Sequence, residues 1–276
     1  MAVKPNKILL STTSFWFWLN PFDPRKAVEF ALKSKADIDG LDIFVFTFHG
    51  GGVSCIGDDL CYQIENFDFN VIHTTFHDID WAGKVDFKDF VKRIKALAKL
   101  LNQSGIENVS IHSDCFFCWP ERVAGIIDEY LNGYKISLEL MDKNKSFGNT
   151  VGDYKKIVEL LPWAYLVPDL AHLSDYEGEE RVAVFEDADL LDRISYVHMS
   201  CHSSQIKDQT HLKTVYSLIP EHLPCVIAEE GLAYDLLPHA TQYPVALEGA
   251  LPFGEFGWEI LEREIFWWRQ MCGMLS

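Results

Sequence analysis

Short apolar runs alternate with longer amphipathic stretches from one end of the chain to the other. Lys7–Thr13 reads as a strand, and Pro24–Lys35 as a helix with Asp23 as its cap and proline at its first position. Asp37–Phe46 is strand-like and ends before the chain-breaking Gly50-Gly51-Gly52; Asn70–Phe76 is a third strand. Phe87, Phe90, Val91, Ile94, Leu97 and Leu101 then recur at helical spacing, with Lys88, Lys92, Arg93, Lys95 and Lys99 on the other faces. Val109–Ser113 predicts a fourth strand and Pro120–Leu131 its helix, Lys135–Met141 a fifth and Val151–Leu161 its helix. Ala164–Asp169 is a sixth, followed by helix around Arg181–Leu191, and Ile194–Met199 a seventh, followed by Leu212–Leu218. Pro224–Glu229 is taken as the eighth, and Trp258, Leu261, Ile265 and Trp268 put an apolar stripe on a closing helix.

Eight strand–helix units predict a (β/α)8 TIM barrel occupying residues 1–276 as one domain. An open doubly wound sheet is the alternative. That fold usually carries a glycine-rich phosphate loop after its first strand, and Ser11-Thr12-Thr13-Ser14-Phe15 is not one.

The strands carry a second pattern. Parallel strands covered on both faces should read as continuous apolar runs. Here Ile136-Ser137-Leu138 ends in Glu139, Leu166-Val167-Pro168 in Asp169 with His172 three residues on, Ser195-Tyr196-Val197 in His198, and Val226-Ile227-Ala228 in Glu229. Val71-Ile72 is followed by His73, and Val109-Ser110-Ile111 by His112. Any one of these residues alone is more often a helix cap, an ion-pair partner or a hydrogen-bonded wall residue. In a barrel, however, all strand C-termini converge on one rim, where the active sites of this fold lie. Carboxylates buried together there are costly unless a cation neutralises them. The expected ligands are therefore Glu139, Asp169, His198 and Glu229, holding one or more divalent ions per chain. Mixed oxygen and nitrogen donors suit Mn, Zn, Fe, Co or Mg without choosing among them. Glu230 rivals Glu229, because a one-residue slip exchanges the two faces of a strand.

Charge narrows the partners. The formal net charge of −17 repels phosphate backbones and anionic membranes, which favours a small-molecule substrate over nucleic acid. Seven cysteines, an odd number at irregular spacing, do not form a disulfide framework and point to a reducing compartment, the cytoplasm. Lys4 and Lys7 before Ile8–Leu19 resemble a signal peptide superficially, but the run contains Ser11, Thr12, Thr13 and Ser14 and lacks a cleavage site. No run is apolar and long enough to span a membrane. Cys115-Phe-Phe-Cys118 has no partner pair and reads as structural. Phe15, Trp16, Trp18, Phe116, Phe117 and Trp119 follow strands one and four and either pack, wall a pocket against water or stack on a sugar ring or base; Trp258, Trp267 and Trp268 either pack or form a homo-oligomer interface.

The order Glu139, Asp169-Leu-Ala-His172, His198, Glu229 resembles the xylose isomerase-like barrel superfamily, which includes sugar isomerases and epimerases, inositol-catabolism enzymes and endonuclease IV. Val167–Leu173 looks like its sixth-strand motif and Ile38-Asp39-Gly40-Leu41-Asp42-Ile43 like its second-strand signature. The resemblance implies that Glu139, Asp169, His198 and Glu229 bind metal, that Glu139 and Glu229 are catalytic, and that His172 contacts a second metal or the substrate. In the isomerase and epimerase branch the two glutamates exchange a proton through a metal-stabilised enediolate of a small keto-sugar or polyol. Epimerases of the group usually carry an arginine after the seventh-strand histidine, where this chain has Cys201-His202-Ser203-Ser204. His73, His112, Asp208 and His211 resemble the additional ligands of multinuclear members, which are hydrolases such as endonuclease IV or non-haem iron enzymes acting on peptides. Isomerase chemistry is the first expectation and multinuclear chemistry the alternative. Metal count separates them.

Overall fold

The computed structural model describes residues 7–15, 23–34, 36–48, 50–54, 56–65, 67–76, 87–202, 222–228, 232–252 and 254–273, with backbone alone at 232–235. Nine strands follow one another among these residues: β1 Ile8–Ser11, β2 Gly40–Phe48, β3 Gly52–Val53, β4 Val71–Thr75, β5 Asn108–His112, β6 Lys135–Glu139, β7 Tyr165–Val167, β8 Val197–Met199 and β9 Val245–Leu247. All but β3 pair in parallel, in the order β7-β6-β5-β4-β2-β1-β9-β8. Parallel bridges Leu166↔Ile194 and Asp169↔His198 join the two ends, so the sheet comes round into a nearly closed barrel. β3 is a short antiparallel return on β2, across a turn in which Gly50 and Gly51 take the positive φ that other residues resist.

Helices fill the crossovers. α1 (Pro24–Lys33) begins as expected, with the Asp23 carboxylate accepting from the Lys26 amide. Helix α2 (Asp58–Ile64) follows β3, and α3 (Phe87–Ser104), α4 (Pro120–Leu131) and α5 (Val151–Leu160) follow β4, β5 and β6. Thr150 caps α5 through the Asp153 amide. A long helix, Glu255–Met271, closes the chain with Ile260, Leu261, Ile265 and Trp268 buried.

The period-two alternation of each strand divides the core. Ile8, Leu10, Leu41, Ile43, Val45, Ile72, Val109, Ile111, Ile136, Leu138, Leu166, Val197, Val245 and Leu247 belong to the large apolar layer shared with the helices. The alternate residues form the barrel interior. At its base Leu9, Phe69, Val71, Val167, Tyr196 and Ala246 make a separate apolar plug. One step further along the barrel stand Asp42, His73, Glu139, Asp169, His198 and Glu248, all buried. The interior is thus greasy below and ionisable above.

One expected element moves. Cys225–Ile227 form a turn, and the eighth barrel strand is instead Val245–Leu247, between β1 and β8. Both segments are short apolar runs ending in Glu, and single-sequence periodicity does not rank one above the other. Pairing does: β9 takes its register from Ile8↔Val245 on one side and Val197↔Val245 on the other. The Pro224 segment makes one antiparallel bridge, Cys201↔Leu223.

Candidate metal centre

Consecutive strands deliver the polar cluster because the inward positions lie at equivalent heights of the barrel. His73 pairs with Phe44 in the β2–β4 register, His112 with Glu139 in the β5–β6 register, and Asp169 bridges His198. Glu139 is the hub. Its Oε2 lies 2.8 Å from His73 Nε2, 3.4 Å from His112 Nε2 and 3.5 Å from His198 Nδ1. The two imidazoles of His73 and His112 meet at 3.1 Å through their Nε2 atoms. On the other side, His198 Nδ1 is 3.3 Å from Glu248 Oε2, while Thr13 Oγ1 donates to Glu248 Oε1 at 3.2 Å. Beneath them Asp42 Oδ2 is 3.0 Å from His198 Nε2 and 3.5 Å from His73 Nδ1.

Asp169 combines the bland and the functional roles. Its Oδ1 caps the short helix Leu170–Leu173 by accepting from the Ala171 and His172 amides, while Oδ2 lies 3.7 Å from His172 Nδ1. The His172 Nδ1 in turn sits 2.7 Å from the Leu140 carbonyl, which can only accept, so Nδ1 carries the proton and Nε2 is the acceptor nitrogen of the neutral ring.

Burial makes these charges interdependent. Burial favours a neutral His73, yet Glu139 and Asp42 overcome it and hold its pKa near 10. Burial likewise opposes ionisation of Asp42, but His73 and His198 bring it down to about 2. Glu139 is held well below the usual carboxylate range against burial by His112, His198 and His73. Burial pushes Glu248 up, against the pull of His198 and His222.

Two observations test whether this set suits a cation. Both Asp42 oxygens, Glu139 Oε2, His73 Nδ1 and both His198 ring nitrogens are buried without a hydrogen-bond partner, although Asp42 Oδ2 and Glu139 Oε2 each lie within 3.5 Å of both His73 and His198. Buried donor atoms that crowd together without bonding one another are the arrangement expected around a missing positive centre. Further, three sets bring ligand atoms mutually within 4.8 Å: Asp42, His73, His198 and Glu248; His73, His112 and Glu139; and Glu139, Asp169 and His198. The carboxylate and imidazole donors fit divalent transition ions.

A cavity of about 180 Å³ opens onto the cluster, lined by Phe44, Met141, Lys145, Asp169, His172 and Glu248 among others. Lys145 is the one Lys or Arg in that lining among the described residues.

Of the residues anticipated from sequence, Glu139, Asp169, His198, His73, His112 and His172 meet here. Glu229, Glu230, Asp208, His211, Trp16, Trp18 and the Leu212–Leu218 segment lie outside the described residues. Sequence reasoning missed Glu248 and Asp42. The Val245-Ala246-Leu247-Glu248 run carried the same signal as the other strand ends, and Asp42 interrupts an apolar strand, Leu41-Asp42-Ile43, at an inward position. Cys115 and Cys118 join none of the described ligand sets, and burial raises the Cys115 thiol well above its ordinary pKa, which favours its neutral form.

No protein-family profile and no curated protein matches the chain. Solved structures do. Endonuclease IV from Thermus thermophilus superposes with a TM-score of 0.60 at 16% identity, over 96% of this chain and 99% of that one. A candidate xylose isomerase from Rhodospirillum rubrum gives 0.56 at 12% identity, over 98% and 99%. The TTHB071 protein, also from Thermus thermophilus and soaked with ZnCl2, gives 0.56 at 11% identity, over 98% and 99%. The fold is a xylose isomerase-like (β/α)8 barrel.

Proposed function

We propose that this chain is a multinuclear, divalent-metal-dependent hydrolase acting on a small anionic ester, with a phosphoester as the favoured substrate class. The observation that carries this reading is the position of Glu139 in two ligand sets at once, one with His73 and His112 and the other with Asp169 and His198. One ion accepts four to six ligands, and eight candidate side chains exceed that number: Asp42, His73, His112, Glu139, Asp169, His172, His198 and Glu248. His73, His112 and Glu139 would hold one ion; Glu139, Asp169, His198 and Glu248 a second, with His172 beside it. Ions so held supply Lewis acidity and an activated water. The chain's residues do the rest. Glu139 would offer its carboxylate to both ligand sets, and the buried walls would strengthen charge interactions at a reacting bond. Lys145 at the cavity wall offers a positive contact to an anionic group. The cavity volume suits a small molecule, and with a net charge of −17 a nucleic-acid substrate is disfavoured.

A second reading has its own support. Glu139 and Glu248 both come within 3.5 Å of His198 Nδ1, and two carboxylates at one site are what proton exchange in a keto-sugar isomerase uses. Elemental analysis of the purified protein together with turnover of p-nitrophenyl phosphate, bis-p-nitrophenyl phosphate and a panel of ketoses separates the two. Two or more ions per chain with phosphoester cleavage supports the hydrolase. A single ion, no ester cleavage and ketose epimerisation would overturn it.

A further inference from the structure

Asp42 occupies the floor of the barrel interior, fully buried, between the apolar plug and the candidate ligands. Its ion-pair contacts among the described residues are two histidines on strands far apart in sequence, and both contacts fall on one oxygen: His198 Nε2 at 3.0 Å and His73 Nδ1 at 3.5 Å. The opposite nitrogens of the same rings face the rest of the cluster. His73 Nε2 approaches Glu139 and His112, and His198 Nδ1 approaches Glu139 and Glu248. Each ring is also held at its flank, His73 edge-on to Phe44 with centroids 5.0 Å apart and His198 against Tyr196 at 5.3 Å.

We infer that Asp42 is a positioning residue for both imidazoles: once ions draw the rings into line, its carboxylate, already 3.5 Å from His73 Nδ1 and 3.0 Å from His198 Nε2, accepts the proton of each, fixing opposite tautomers and presenting His73 Nε2 and His198 Nδ1 to the metal ions. A neutral imidazole has one donor and one acceptor nitrogen, and the partner of one decides the role of the other. A carboxylate offers only acceptors, so it selects the N–H form of whichever nitrogen faces it. Asp42 could alternatively be a ligand in its own right, since it falls within metal range of His73, His198 and Glu248. The ring atoms nearest Asp42 are the floor-facing nitrogens, and an ion held through them would require both rings to coordinate through both nitrogens to serve Glu139's two sets as well. Orientation from below needs no such doubling. The inference rests on the metal-centre reading, although not on the reaction catalysed.

The test uses the full chain loaded with zinc, which is diamagnetic. Long-range proton–nitrogen correlation spectra of histidine-labelled protein should show His73 protonated at Nδ1 and His198 at Nε2, each with its other nitrogen at a metal-bound shift. Either ring in the reverse tautomer overturns the inference. In parallel, calorimetric zinc titrations compare Asp42→Ala and Asp42→Asn with the wild type. The expected result is an unchanged zinc stoichiometry with affinity weakened roughly 10–100-fold in Asp42→Ala. Asp42→Asn should lie between, because its amide oxygen still accepts the two N–H bonds without the charge. Loss of one whole equivalent of zinc would make Asp42 a ligand, and undiminished affinity would leave it no role; either result refutes the inference. Should both variants fail to fold, the wild-type spectra decide alone. Should the wild type take up no zinc, manganese, iron or cobalt, the metal centre itself falls, an outcome separate from a wrong tautomer in a metal-loaded protein.

Discussion

Replacing Glu139 by glutamine removes one charge from the hub while keeping the shape of the side chain. Glu139 Oε2 sits 2.8–3.5 Å from His73, His112 and His198, so an ion bound by any of these rings lies within about one ligand length of it. A unit charge pair near 4 Å is worth ~4 kcal/mol at the effective dielectric of ~20 that reproduces protein electrostatics. That corresponds to roughly three decades in affinity, for both ions together, since Glu139 belongs to both sets. His112→Ala, by contrast, touches one set only and should leave the second ion in place. Metal content after desalting and calorimetric titration with zinc or manganese give the comparison directly. Glu139→Gln should retain less than one ion per chain, and metal should no longer raise its melting temperature. If the variant kept its full complement at wild-type affinity, the idea of a shared bridging carboxylate would be wrong, and the buried donors would need another explanation.

Two further outcomes concern stability. Glu264 on the closing helix is buried and accepts the Cys225 amide, and burial lifts its pKa from 4.5 to about 8. Its neutral form therefore stabilises the fold fully below pH 4.5, and that contribution fades as pH rises through about 8, by roughly 1.4 kcal/mol per pH unit and about 5 kcal/mol in all. Chemical denaturation of Glu264→Gln across pH 5–9 should lose this slope; a slope equal to that of the wild type would contradict the assignment. Gly40→Ala would drive a Cβ into the backbone carbonyl of Phe69, where no side chain can give way. A loss of about 3 kcal/mol or more follows from such overpacking, and with it a drop in melting temperature on the order of 10 °C; an unchanged melt would show that the strand shifts freely.

The alternation of apolar runs and amphipathic stretches was enough to reach the barrel, because each strand and helix announces itself through the period of its own burial. Seven of the eight barrel strands, and the ligand candidates at their ends, are readable from residues adjacent in the chain. Glu139, Asp169, His198, His73, His112 and His172 stand out since each interrupts or ends a run that a core would keep apolar. What the chain could not rank was Val226-Ile227-Ala228-Glu229 against Val245-Ala246-Leu247-Glu248, two runs of nearly identical character. Only hydrogen-bond pairing to Ile8 on one side and Val197 on the other selects the second. Asp42 was legible as an oddity and not as a partner, because its meaning depends on His73 and His198, 31 and 156 residues away in sequence and beside it in space. Local periodicity is a property of neighbouring residues and survives in the sequence. Which buried charges meet is a property of barrel closure, and closure exists only once distant strands have paired.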